Sequence, residues 1–112
     1  HLINTTMQWI LLVCAGLLEI GWPLGFKLAG LHEKYFYHFI ALSVVSMGLS
    51  GFLLYLAQKN IPIGTAYVIW TGIGAVGTVL LGIFFFHDST NIYRLLFVFL
   101  ILTGVVGLKL VH

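Results

Sequence analysis

This sequence contains very little charge. It has five basic and three acidic side chains in 112 residues, so that charged residues make up only 7% of the chain. A soluble domain carries about a quarter charged residues, and too few are present here to cover a surface in water. Hydrophobic residues make up 61% of the chain. The scarcity of charge therefore excludes a soluble globular protein and predicts an integral membrane protein.

Several chemical groups are also missing. Cys14 is the only cysteine, so no disulfide can form within the chain. None of the five histidines has a second metal ligand at a useful spacing, and we therefore expect neither a metal site nor a cofactor. We find no pairing of a nucleophile with a base that would indicate an enzyme. The remaining function classes are those of a membrane transporter, a channel or an assembly subunit.

Four apolar runs take up nearly the whole sequence, and each is close to the ~20 residues that a spanning helix requires. We predict an all-α membrane protein with one four-helix domain over residues 7–112. Residues 1–6 are predicted to be a short polar lead, either natural or a remnant of cloning. The predicted transmembrane helices are Met7–Leu28, Phe36–Ala57, Ile63–Phe86 and Tyr93–Val111.

Glu19 is the only acidic residue inside one of these runs. A carboxylate at that depth costs free energy, and it is retained where it faces a partner, a cavity or a transported ion. Gly16 and Trp22 lie three residues before and after it, so they share its helical face. Pro23 has no amide hydrogen to offer the carbonyl of Glu19, and we expect the helix to bend just past the carboxylate.

Small and hydroxyl-bearing residues recur at helical spacing. Ser43, Ser46 and Ser50 form a stripe on the second predicted helix. Such serines often bond their own backbone, but three in register favour a polar face. Gly21 and Gly25 form a GxxxG pair, a spacing that more often indicates helix packing than function.

The third predicted helix has a polar face and several glycines. Glycines at 72, 74 and 77 weaken this helix in mid-membrane, which suits a helix that bends during alternating access. A turn over residues 88–91 follows, with Asp88 or Ser89 expected to cap the fourth helix. The residues along the polar face are Tyr67, Thr71, Gly74 and Thr78, with Trp70 beside Tyr67.

The basic residues give almost no signal for orientation in the membrane. Four spans put Lys59 and Lys109 on one side, and Lys27, Lys34 and Arg94 on the other. The positive-inside rule therefore leaves two interpretations open. The chain inserts one way on a weak bias, or copies insert both ways and pair antiparallel. The second is favoured because four thin helices do not easily enclose a translocation path.

Three stretches of the sequence resemble the small multidrug resistance family, and within it the guanidinium exporters. The stretch over residues 62–77 is the most specific, and the resemblance extends over essentially residues 7–111. Residues 31–36 depart from the Gly-Phe-(Thr/Ser)-Arg-Leu pattern usual for the first loop of the family. The matching stretches are AGLLEIGW at 15–22, PIGTAYVIWTGIGAVG at 62–77 and TGVVGLKL at 103–110.

This resemblance implies an antiparallel, dual-topology homodimer in the bacterial inner membrane, with a cavity shared by the two copies. It implies proton-coupled export of guanidinium and small substituted guanidinium cations. Glu19 would bind either a proton or the cation, with Ser50 orienting it through a hydrogen bond. The other residues expected to line or support the site are Gly16, Trp22, Tyr67 and Trp70.

Other functions remain open at the level of sequence. An exporter of quaternary ammonium or lipophilic cations belongs to the same class and would carry bulky cations as fast as guanidinium. Half of a heterodimer is disfavoured by the balanced charge. A dual-topology ion channel would still conduct after Glu19→Gln, and an assembly subunit would use Glu19 only as a helix-pairing contact.

Overall fold

The computed structural model describes residues 5–111 and is helical almost throughout this range. Four of its helical segments are long and apolar enough to cross a membrane, as the sequence predicts, and the first of these spans contains both α1 and α2. The predicted lead over residues 1–6 lies mostly outside the described residues. The elements are α1 (Thr5–Leu18), α2 (Gly21–Leu31), a 3₁₀ turn (Glu33–Tyr35), α3 (Phe36–Ala57), α4 (Ile63–Phe85) and α5 (Ile92–Val111).

The first span is broken in the middle. A turn at Glu19 and Ile20 separates α1 from α2. The amide of Ile20 donates to the carbonyl of Leu17 at 3.2 Å, three residues back, which tightens the last turn of α1. Pro23 cannot donate to the carbonyl of Glu19. The helical hydrogen bonds are therefore interrupted beside Glu19, as the proline predicts, and the carboxylate lies at the junction of α1 and α2. The bend itself stays a prediction.

Glycines of α2 let α3 approach closely. A Cβ atom at Gly21 would lie 2.7 Å from the Cβ of Ser46, and one at Gly25 would overlap the hydroxyl of Ser43. The Ser43 hydroxyl donates to the carbonyl of Trp22 at 2.8 Å. The GxxxG pair thus serves packing, as its spacing indicates, and its partner is the serine stripe of α3.

A buried amide fastens the start of α1 to the end of α3. Gln8 is only 2% exposed. When the Gln8 amide is oriented so that its nitrogen and its oxygen both have partners, the nitrogen donates to the carbonyls of Leu56 at 2.8 Å and Ala57 at 2.7 Å. The oxygen then accepts from the side-chain amide of Asn60 at 3.2 Å. The bond to Ala57 satisfies a carbonyl at the end of α3, where helical carbonyls lose their backbone partners, and the bond to Leu56 adds to that from the amide of Lys59 at 3.4 Å. Sequence reasoning did not single out Gln8.

The last helix is the least enclosed of the four spans in the described chain. Only 6% of its span is buried. It packs mainly on α4, where the side chain of Val105 lies directly against Gly72. A Cβ atom added at Gly104 or Gly107 would meet nothing within 4 Å. Most of α5 is therefore left to face lipid or another protein.

Candidate functional site

Glu19 lines a cleft between the helix break and α4. The cleft has a volume of about 350 Å³, at the small end of the ~300–1,000 Å³ typical of ligand pockets. Glu19 is half-buried, with part of its side chain open to the cleft. The remaining lining residues are Trp22, Pro23, Thr71, Gly74, Ala75, Thr78, Val79, Asp88 and Arg94.

Gly74 provides the room that the Glu19 side chain occupies. A Cβ atom at this position would lie 2.6 Å from Cγ and 3.0 Å from Cβ of Glu19. Thr78 donates to the carbonyl of Gly74 at 2.7 Å, which leaves its hydroxyl oxygen able to accept from a ligand. The sequence-based site omitted Gly74, Thr71 and Thr78. Their spacing along one face of the third predicted helix was the available signal.

Ser50 and Trp70 form a buried hydrogen-bonded chain next to Glu19. The indole Nε1–H of Trp70 donates to the Ser50 hydroxyl at 2.8 Å. That hydroxyl donates to the carbonyl of Ala15 at 2.7 Å and lies 3.5 Å from Oε1 of Glu19. Because a hydroxyl has one proton, the shorter bond to Ala15 holds it in this arrangement. Ser50 therefore joins α3 and α4 to the last turn of α1, within reach of the carboxylate.

Two other residues of the sequence-based site lie outside the cleft. Tyr67 is 56% exposed and lines a separate cavity of about 740 Å³ between α4 and α5. Its ring centroid is 5.6 Å from that of Trp70. Gly16 is buried against α4, where a Cβ atom would lie 2.8 Å from the Cβ of Ile73. Within the described chain, Gly16 therefore contributes close helix packing, and Tyr67 is not brought to Glu19.

An ion pair stands at one end of the same cleft. Nη2 of Arg94 lies 3.6 Å from Oδ2 of Asp88, and Nη1 donates to the carbonyl of Ser89 at 2.6 Å. The expectation that Asp88 or Ser89 caps the fourth helix is wrong. Asn91 is the cap, because its side-chain oxygen accepts from the amide of Tyr93 at 2.8 Å. Asp88 is thus free to face the cleft.

The cleft has the chemistry of a site for a small organic cation. Glu19 offers two acceptor oxygens, which match the parallel N–H donors of a planar cation. The ring of Trp22 lines the same space and can stabilise positive charge above its face. A proton on Glu19 would cancel the charge that attracts the cation. The cleft can therefore hold either a proton or a cation at this carboxylate.

Comparison with known proteins gives a consistent result. The profile of the family described as Small Multidrug Resistance protein matches residues 7–101. A guanidinium exporter of Proteus vulgaris is 49% identical over 106 residues, covering 93% of this chain and 98% of that protein. The guanidinium exporter of Yersinia pestis is 49% identical over 104 residues, with the same coverage. That of Escherichia coli K12 is 45% identical over 109 residues, covering 93% and 97%.

Proposed function

Since the chain belongs to the small multidrug resistance family, we propose that it exports guanidinium and small substituted guanidinium cations in exchange for protons. It is a multi-pass protein of the bacterial inner membrane. The names of its relatives support the substrate class. The observation that carries the proposal is the position of Glu19, the one acidic residue in the interior of the four described spans, at the junction of α1 and α2, where it lines a cleft.

The geometry suits a cation that carries N–H donors. Guanidinium is planar and presents its donors as a fork, so two of them can bond Glu19 in parallel. Thr71 and Thr78 line the cleft, and their hydroxyl oxygens can accept further donors. Trp22 supplies an aromatic wall. A quaternary ammonium ion has no N–H and would leave these acceptors without donors, at a cost of about 1–3 kcal/mol for each one that the bound cation or a partner buries.

Exchange with protons follows from competition for one carboxylate. Where protons are abundant, Glu19 is neutralised and releases the cation. Where they are scarce, the ionised carboxylate binds the cation again. If the empty, ionised protein changes sides only rarely, each cation that leaves is replaced by protons that enter. The proton gradient then drives export.

We also propose that a second copy, inserted in the opposite orientation, completes the site. Tyr67 and most of α5 are exposed in the single chain, so a partner has an apolar surface on which to pack. The near balance of basic residues between the two sides favours insertion both ways. In such a pair, two copies of Glu19 would share one cavity.

The decisive experiment records substrate-driven currents from purified protein in liposomes. Guanidinium, a mono-alkyl guanidinium and tetrapropylammonium are compared at matched concentration. We expect currents with the two guanidinium compounds and little with tetrapropylammonium. A tetrapropylammonium current as large as that of guanidinium would instead support the multidrug alternative.

The Glu19→Gln variant tests the residue that carries the proposal. We expect it to assemble normally and to lose proton-driven guanidinium uptake, because the amide can neither ionise nor exchange a proton. Glu33→Gln is the matched control, since Glu33 is exposed in the 3₁₀ turn at the very start of the second span and does not line the cleft. Retained coupled uptake in Glu19→Gln would reject the proposal, and retained uncoupled conductance would indicate a channel.

A further inference from the structure

The transport cycle described above leaves the Asp88–Arg94 pair without a role, although both residues line the Glu19 cleft. The side chains of Arg94 and Asp88 are 34% and 47% exposed, so neither is enclosed by the helices of the single chain. The pair lies near the ends of α4 and α5, at the mouth of the cleft. A cation entering from this side would meet Asp88 before Glu19.

The backbone holds the Asp88 carboxylate in place at this mouth. His87 has a φ of 58°, in the left-handed region that few residues other than glycine adopt. This conformation turns the chain back, so that the amide of Asp88 donates to the carbonyl of Gly82 at 3.0 Å. The carboxylate rests against Gly82, where an added Cβ atom would overlap it. Asp88 is therefore a pre-positioned acceptor.

We propose that Asp88 is an entry site for guanidinium cations, and that the guanidinium group of Arg94 occupies this site when no substrate is present. The proposal rests on the proposed function, because it takes the transported cation to be a guanidinium. Arg94 carries the same planar, donor-bearing group as that cation. The substrate would displace Arg94 from Asp88 and then pass along the cleft to Glu19.

The observed ion pair is weak enough to exchange. Its 3.6 Å separation is longer than the ~2.7–2.9 Å of a charge-assisted hydrogen bond. Ion pairs between exposed side chains add little net stability. The Nη1 atom of Arg94 donates to the carbonyl of Ser89 and Nη2 forms the ion pair with Asp88, so the guanidinium group divides its donors between two acceptors. A free guanidinium ion can offer two donors to the same carboxylate.

Lys27 is a further positive charge near this mouth. It lines the neighbouring cavity together with Asp88, and its Nζ atom lies 5.7 Å from the ring centroid of Phe86. An ammonium group attracts Asp88 as a point charge and lacks the planar fork of a guanidinium. Lys27 thus lowers the local attraction for cations without matching the geometry of the site. This weaker attraction suits an entry site, which must bind the substrate only transiently.

The test measures guanidinium-driven currents over a range of guanidinium concentrations and separates KM from kcat. We expect Asp88→Asn to raise KM about threefold with kcat unchanged, because capture is weakened and the Glu19 site is intact. The increase should shrink in high salt, which screens an exposed charge. Glu33→Gln, which removes a carboxylate outside the cleft, should leave KM unchanged.

If Asp88→Asn does not assemble, Arg94→Gln is an independent test of the entry-site proposal. We expect its KM for guanidinium to fall about twofold, because the internal competitor is gone. Arg94→Lys keeps a charge without the fork, and its KM should lie between those of Arg94→Gln and the unaltered protein. These shifts in opposite directions from the two members of one ion pair are not expected from a purely structural contact.

The outcomes separate the two proposals. A wild-type protein that carries no guanidinium current would overturn both the proposed function and the entry site. A wild-type current together with an unchanged KM in Asp88→Asn, or in Arg94→Gln if only that variant assembles, would overturn the entry site alone. A lower kcat with unchanged KM would show that the ion pair supports the structure or the conformational change, and this result would likewise overturn the entry-site proposal.

Discussion

Gly74→Ala probes the contact between α4 and Glu19 by adding a single methyl group. The new Cβ atom would lie 2.6 Å from Cγ of Glu19, so either the helices separate or the Glu19 side chain rotates away. Overpacking of this kind costs about 1–3 kcal/mol. Replacing glycine by alanine inside a helix returns about 1 kcal/mol. The free energy of unfolding should therefore fall by no more than about 2 kcal/mol.

The effect on transport should be larger than the effect on folding. If Glu19 rotates away, cation binding must restore the strained position, and the affinity falls by the strain of about 1–3 kcal/mol. Since 1.4 kcal/mol is a factor of ten, this corresponds to roughly a 5- to 150-fold loss in kcat/KM for guanidinium. The assay is the concentration dependence of guanidinium currents in proteoliposomes, with thermal unfolding and size-exclusion chromatography on the same preparation.

Gly48→Ala is the matched control for this substitution. Gly48 lies within α3, and nothing is found within 4 Å of a Cβ atom added there. The same helix-propensity gain is expected without a clash, so transport should be unchanged. If Gly74→Ala assembles and transports guanidinium like Gly48→Ala, the Glu19 side chain does not rest on α4 during transport. The cleft described here would then not be the transport site.

Two further predictions concern the supports of the site and its assembly. Ser50→Ala should lower the free energy of unfolding by about 1–3 kcal/mol, because Trp70 loses its buried acceptor, and it should also change the pH dependence of guanidinium competition. Ser43→Ala, which loses one bond to a helix carbonyl, should cost less, and equal effects would contradict the assigned network. For the antiparallel dimer, single cysteines placed in each loop of a Cys14→Ala protein should react with an impermeant reagent from both sides of the membrane. Labelling from one side only would reject dual topology.

The membrane class and the main polar residue of the site could be predicted from sequence because both depend on composition along the chain. Runs of about twenty apolar residues must become helices in lipid, where every backbone group needs an internal partner. The four predicted spans are accordingly confirmed. A lone carboxylate and a proline four residues later are local features of the sequence. Glu19 and the interruption of the helix beside it could therefore also be predicted. The antiparallel dimer stays a prediction.

The neighbours of Glu19 were harder to predict, because they come from other helices. Helical periodicity put Gly16 on the face of the carboxylate, and both residues do meet α4, where Gly16 packs against Ile73 and Glu19 packs against Gly74. Tyr67 and Gly74 belong to one predicted polar face, yet of these two residues only Gly74 contacts Glu19 in the described chain. Spacing along a helix predicts which residues share a face, but it does not predict which neighbouring helix that face contacts.

Four membrane-spanning helical segments with one carboxylate in their interior could be recognised from the amino acids alone. Those properties follow from hydrophobicity and from backbone hydrogen bonding, which act locally. The packing of the helices was needed to show that Gly74 makes room for Glu19, and that Ser50 bonds the carbonyl of Ala15 in preference to the carboxylate. It also brought Asp88 and Arg94 to the mouth of the same cleft. Such contacts join residues far apart in the chain, and they depend on how closely each pair of helices can approach.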